Sequence, residues 1–163
     1  MREGRRRAVK TIRFLAGLAA VSSLLSGFGC APKAVRIYEP EPAVKARGDI
    51  VRYAMTLLGK PYRNAAKGPD AFDCSGFVHY VYGRFDVFLP VSTEGLNRTG
   101  YEIERNKVEV GDLVVFRIKR DYHVGIMINE VEFIHASKSR GVTIDNVDAN
   151  YWKKNFRNFR RVL

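Results

Sequence analysis

Cysteine is nearly absent. The 163-residue chain has two, Cys30 and Cys74. No CxxC pair and no Cys/His cluster has zinc-ligand spacing, which argues against a structural metal. Histidine is as scarce, with His79, His123 and His135 the only three. No glycine-rich phosphate loop occurs, so nucleotide binding of that type has no footing, and no cofactor is expected. Acidic residues are outnumbered, 17 against 28 Lys and Arg, for a net charge of +11. Part of the surplus is local: residues 1–29 hold six basic residues and one Glu, leaving 22 basic and 16 acidic in the remainder. What is left concentrates at Lys153, Lys154, Arg157, Arg160 and Arg161. That charge would suit an anionic polymer or a membrane surface. A solvated basic face is the preferred reading, because no nucleic-acid-binding motif accompanies it.

Hydrophobic residues make up 46% of the chain, enough to bury the core of one ordinary domain without cross-links. The N-terminus reads as an export signal. Arg2, Arg5, Arg6, Arg7, Lys10 and Arg13 form a positive region, and Phe14 to Leu25 form an apolar one. The apolar run is too short to span a bilayer comfortably. Gly27-Phe28-Gly29 precedes Cys30, and this end resembles a bacterial lipoprotein signal in which Cys30 is acylated. The same small residues also suit ordinary cleavage to a soluble product, and retention as an uncleaved anchor is a further option. Acylation of Cys30 leaves Cys74 a free thiol outside the cytoplasm, an unusual state for a purely structural cysteine. Residues 31–47 hold Pro32, Pro40 and Pro42 with little periodicity. As an extended tether they would reach about 50 Å at ~3.1 Å per residue.

The folded domain is expected from Gly48 onward. Asp49 can cap a helix carrying Ile50, Ala54, Leu57 and Leu58, ended by Gly59. A second helix is expected from Cys74 to Phe85, with Phe77, Val78, Val81 and Tyr82 on one face. Ser92 caps a short third helix ended by Gly100. Five strands follow, at Val108 to Ile118, Tyr122 to Asn129, Glu132 to Ala136, Val142 to Val147 and Phe156 to Val162. Helices first and strands afterwards predict an α+β fold with an antiparallel sheet.

The chain is organised around Asp73-Cys74-Ser75-Gly76-Phe77. Asp73 and Ser75 are good N-capping residues. A thiol there would face unpaired backbone N–H groups and the positive end of a helix dipole, both of which favour the thiolate. The bland alternative is a small buried hydrophobe. His79 sits on the same helix facing elsewhere and reads as a surface residue. His123 opens the strand His123-Val124-Gly125-Ile126, where Gly125 leaves room for a close approach. His135 lies in Phe133-Ile134-His135-Ala136-Ser137, joined to the first strand at Asn129-Glu130-Val131. Histidines on adjacent antiparallel strands can share one face, one as base and the other orienting it. The alternative is two unrelated structural histidines. Tyr62, after Pro61, suits either a core or a cleft.

Four motifs occur in order: Phe72 to Phe77, Gly111-Asp112-Leu113-Val114-Val115-Phe116, His123 to Ile126, and Phe133 to Ser137. Together they resemble the NlpC-type cell-wall cysteine peptidases over residues 48–163. The resemblance implies a papain-like α+β fold. It implies hydrolysis of peptidoglycan stem peptides, after γ-D-glutamate and before a diamino acid or at D-Ala–diaminopimelate cross-links. Cys74 then matches the nucleophile, His123 the general base and His135 the residue that orients it. Tyr62 matches a cleft residue, and Asp73 and Ser75 match positions that contact substrate in some relatives. No metal is implied. The partners expected are stem peptides, the membrane through Cys30, and no nucleic acid; the expected protein is a monomer in the bacterial cell envelope, with the outer membrane permitted by Ala31. An amidase or acyltransferase on the same fold, or an inactive wall-binding lipoprotein, are the competing readings. Departures from the family pattern lie at Ala65-Ala66, where paired glycines are usual, at Val91, where Arg is usual, and at Glu130-Val131 in the strand turn.

Overall fold

A computed structural model describes residues 42–163. The export signal, Cys30 and most of the tether lie outside the described residues. Helix α1 runs Pro42–Met55, so it starts earlier than the Asp49 cap and takes in the end of the expected tether. Pro42 stands at its first position, where the missing N–H costs nothing. Arg47 anchors this early part. It is 8% exposed, pairs with Glu109 and donates to the Leu163 carbonyl at 2.6 Å. Ile50 and Ala54 are fully buried and Leu57 nearly so in the turn that follows, whereas Leu58 points out at 42% exposure.

Helix α2, Cys74–Gly83, presents the expected face: Phe77, Val78, Val81 and Tyr82 are completely buried. Each such side chain contributes about 1.5–3 kcal/mol through removal from water. Helix α3, Thr93–Arg98, is capped by the Ser92 hydroxyl accepting from Gly95 N–H at 3.1 Å.

The sheet has six strands rather than five: β1 (Tyr101–Ile103), β2 (Leu113–Ile118), β3 (Asp121–Met127), β4 (Glu132–Ser137), β5 (Gly141–Asn146) and β6 (Phe156–Arg161). Their order is β1-β6-β2-β3-β4-β5, and the pairings are antiparallel. The added strand is β1, a short edge piece with two exposed residues and therefore no readable alternation. Side chains alternate between the faces of a strand, and the alternation divides the core. Val115, Val124, Ile126, Ile134 and Ala136 pack toward α1 and α2. Val114, Phe116, Met127, Phe133 and Phe159 pack on the other face under Trp152. Trp152 comes from a further short helix, α4 (Asn150–Asn155), which falls in a stretch to which the sequence pattern assigns no element.

Two features set the site. The β3–β4 turn lacks the usual Asn-Gly pair, and Asn129 replaces it with side-chain bonds: its Oδ1 accepts from Val131 N–H at 2.9 Å and Glu132 N–H at 2.8 Å. At the far edge, β5 is clasped to the chain after α1. Val142 N–H donates to the Lys60 carbonyl and Gly59 N–H to the Val142 carbonyl, both at 2.8 Å. Gly141 has φ +70°, and a Cβ there would collide with the Lys60 carbonyl.

Candidate active site

Cys74 is the first residue of α2, and Asp73 is its cap. Asp73 Oδ1 accepts from Gly76 N–H at 2.6 Å, satisfying one of the unpaired donors at the helix start. The Ser75 hydroxyl is buried and donates to the Val91 carbonyl at 2.9 Å. Gly76 lets the preceding loop lie against the helix, since a Cβ there would strike the Ala66 carbonyl. That loop returns Tyr62 to the same cleft as Cys74, Asp73 and Ser75. The Tyr62 phenol is pushed above its ordinary pKa by burial first, then by Cys74 and Asp73.

Cys74 is a free, half-buried thiol. Backbone N–H groups of Ser75, Cys74 and Val124 face its sulfur and favour the thiolate, as the helix start predicts. The net direction is nevertheless the opposite of the expectation. Burial, reinforced by the Asp73 carboxylate, raises the thiol pKa. Desolvation penalises the charged form more than three amides recover. The surroundings of Cys74 therefore favour the thiol over the thiolate.

The Val124 contact places that thiol beside β3, one residue from His123. The two histidines do share a face. His123 Nε2 lies 2.8 Å from His135 Nδ1, with the rings nearly perpendicular at 86°. Gly125 is what permits this. A Cβ there would strike the Phe133 ring and come within 3.2 Å of the His135 Cβ, so the room it leaves is filled by the neighbouring strand. Trp152 stacks on His123 at 5.4 Å and meets His135 edge-on at 5.0 Å. In this apolar box His123 is pushed down to about 3 by burial, then by His135 and Lys138, against an upward pull from Asp145. His135 is only 1% exposed and is also lowered by burial, with Asp145 pulling the other way. Both are neutral near pH 7, and a neutral imidazole can accept a proton.

Behind the pair stands Asp145, its Oδ2 at 2.9 Å from His135 Nε2 and 2.6 Å from an Arg140 Nη2. Sequence reading passed over both Asp145 and Trp152. Asp145 emerges only with the strand register: Ser137 pairs with Gly141 and His135 with Thr143, so Asp145 lies diagonally from His135 on one face. Trp152 had little signal, being one aromatic in a short helix. His79, by contrast, is outside the site but is not a free surface residue, because its Nδ1 bonds the Leu89 carbonyl at 2.7 Å. Cys74, His123, His135, Asp145 and Tyr62 line one open cleft of about 1020 Å³. Among the described residues no group of His, Cys, Asp or Glu is arranged to hold a metal ion.

The profile of the NlpC/P60 family matches residues 59–161. The chain belongs to the NlpC/P60 family. It is 40% identical over 107 residues to the murein DD-endopeptidase MepS/murein LD-carboxypeptidase of Escherichia coli K12, a match covering 64% of this chain and 57% of that protein. It is also 40% identical over 108 residues to the probable endopeptidase NlpC of the same organism, covering 64% and 70% of the two chains. The chain thus spans little more than half the length of the MepS protein it matches. Among solved structures, an NlpC/P60 protein from Bacillus cereus superposes with a TM-score of 0.69 at 27% identity, covering 76% of this chain and 41% of that one. The NlpC/p60 domain of the peptidoglycan hydrolase SagA gives 0.63 at 27% identity, with 71% and 97% covered. The expected papain-like α+β fold of the NlpC/P60 family is the one observed.

Proposed function

We propose that this NlpC/P60 chain is a cysteine peptidase that hydrolyses amide bonds in peptidoglycan stem peptides, with Cys74 as nucleophile, His123 as base and His135 as the residue that orients the base. The observation that carries the reading is the joint placement of the Cys74 thiol at the Val124 N–H and the His123–His135 contact of 2.8 Å. Nucleophile, base and orienting group then share one cleft. The names of the relatives, murein endopeptidase and peptidoglycan hydrolase, supply the substrate class.

The chemistry balances without a cofactor. The Cys74 sulfur attacks the amide carbonyl as its proton passes to His123. The Cys74 backbone N–H, helped by the Tyr62 hydroxyl, would stabilise the oxyanion. The tetrahedral intermediate collapses, the C–N bond breaks, and His123 returns the proton to the leaving amine. Water then adds to the thioester, losing its proton to His123, and the carboxylate product leaves as the thiol re-forms. Lys119 and Lys138 in the cleft lining suit the carboxylates of stem peptides, including γ-D-glutamyl and diaminopimelate groups. Asp73 Oδ1 is committed to the helix cap, so its part in substrate contact falls to Oδ2, and Ser75 acts through its hold on Val91.

The test is a digest of diaminopimelate-type muropeptides by the wild type and by Cys74→Ala, read by mass spectrometry. Fragments from the wild type alone support the reading and identify the bond. Equal cleavage by both proteins rejects the mechanism. The export signal and acylated Cys30 belong to the same proposal: Cys30→Ser should move the protein from the membrane fraction to the soluble fraction of the envelope. Unchanged membrane association in that variant would rule the lipid anchor out.

A further inference from the structure

The Asp145 carboxylate constrains where protons can sit on both imidazoles. A carboxylate only accepts hydrogen bonds, so at 2.9 Å it requires the His135 Nε2 to donate. A neutral imidazole carries one N–H. His135 Nδ1 is then a lone pair and must accept from His123 Nε2 at 2.8 Å. His123 has its proton on Nε2 in turn, and its unprotonated nitrogen is Nδ1. Arg140 donates to the same Asp145 oxygen, Oδ2, that His135 uses. The carboxylate is therefore pinned in place and keeps its charge. Burial pushes its pKa up, but the hydrogen bonds from Arg140 and His135, with the Arg140 charge, hold it below the ordinary value.

We propose that Asp145, held by Arg140, is a positioning residue that fixes the tautomers of His135 and His123 so that Nδ1 of His123 is the nitrogen free to take the Cys74 proton. This rests on the reading of Cys74 and His123 as nucleophile and base. Asp145 reaches neither the thiol nor the substrate bond in this role; it acts through His135. It also stabilises the imidazolium that forms on His123 when the thiol proton arrives, relayed through a ring that stays neutral.

The shared oxygen gives a prediction that a merely structural ion pair does not. In Asp145→Asn, Arg140 still donates to the position of Oδ2 and so holds the amide oxygen, not the NH2, against His135. The tautomers survive. In Arg140→Ala the carboxylate remains and can still only accept. With both substitutions the amide is free to turn and donate to His135 Nε2, which reverses the N–H pattern of both rings. The losses should be strongly non-additive.

The experiment uses the full chain labelled with 15N-histidine at pH 7, where long-range proton–nitrogen spectra assign tautomers and only three histidines contribute signals. The other charged group bearing on His123 is Lys138 from the β4–β5 turn, while Phe116 of β2 and Trp152 of α4 present uncharged rings. Expected are Nε2–H forms of His123 and His135 in the wild type and both single variants, and Nδ1–H forms appearing in the double variant. In muropeptide cleavage, each single variant should lose less than about tenfold in kcat and the double variant about 100-fold or more, with KM little changed, as for groups that orient a catalytic imidazole. An Nδ1–H form of either ring in the wild type, or Nε2–H forms retained in the double variant, would overturn the proposal. A wild type that shows the Nε2–H pattern but cleaves no muropeptide supports the tautomer assignment and counts against the catalytic reading alone.

Discussion

His123 Nε2 and His135 Nδ1 are 2.8 Å apart on neighbouring strands, inside a box closed by Trp152. Each ring leaves the other one remaining nitrogen: Nδ1 of His123, and Nε2 of His135, which lies 2.9 Å from Asp145 Oδ2. The two histidines should therefore differ in the size of their effects. His123→Ala removes the proton acceptor and is expected to lower kcat by about 10³-fold or more, while His135→Ala removes its orientation and is expected to lower it by about 100-fold. Combining them should cost little beyond the first, since an unoriented base that is absent cannot be lost again. Steady-state kinetics on a defined muropeptide checks both values, and full additivity would show that the rings work independently.

Acid should destabilise this protein early. His123 is pushed down to about 3 and His135 is also lowered, both chiefly by burial, from an ordinary 6.5. The unfolded chain therefore takes up these protons first. Stability linked to the neutral rings is complete above pH 6.5 and is lost as pH falls from there toward the folded values. The expected loss between pH 7 and pH 5 is on the order of 1–2 kcal/mol for His123, with a further loss of the same sign from His135. Denaturant midpoints at the two pH values measure it. A His123→Phe variant should lose less over that interval than the wild type, and an identical loss would contradict the buried neutral state.

Trp152 is the lid of the histidine box. Trp152→Ala should cost about 3–5 kcal/mol of stability through the cavity it leaves. It should also let water reach His123 and raise its pKa toward 6.5, while Trp152→Phe keeps most of the exclusion. An NMR titration of His123 separates the two variants. A His123 titration unmoved by Trp152→Ala would mean that Phe116 and Phe133 alone keep the ring dry.

Ala65 stands with φ +59°, at a place where the family pattern has glycine. A side chain in the left-handed region costs about 1 kcal/mol or more, and glycine removes that cost. Ala65→Gly should raise the thermal midpoint by a few degrees, about what 1 kcal/mol gives in a domain of this size. Ala66→Gly lacks the φ argument and should not. Calorimetry of the two variants compares them directly, and a lower midpoint for Ala65→Gly would show that the strain is compensated by contacts of the methyl group.

What the sequence discloses divides by range. The Cys74 motif is local: cap, thiol and buried helical face follow one another in the chain, and each appears where its spacing places it. The histidine pair was legible because one hairpin carries both. Asp145 needed the β4–β5 register as well, and diagonal neighbours two pairings away leave no mark in periodicity. Trp152 required knowing that a six-residue helix folds back over the sheet, which no pattern that short announces. The direction of the Cys74 shift was misread for the same reason. Amide donors at a helix start can be seen in sequence, but the burial that outweighs them is made by the assembled core against which Cys74 packs.

The hydrogen bonds between Val142 and residues 59 and 60 have a mechanical consequence. They join the stretch leading to Tyr62 to the strand that carries Asp145, two parts of the cleft lining. These bonds resist any widening of the mouth between the two when a guest enters. A peptide entering it must supply the adaptation itself, and the entropy lost on ordering falls on the ligand side of the balance. Discrimination among ligands would accordingly show in how readily each adopts the bound shape, with stiff or cross-linked peptides of the right contour favoured over slack ones.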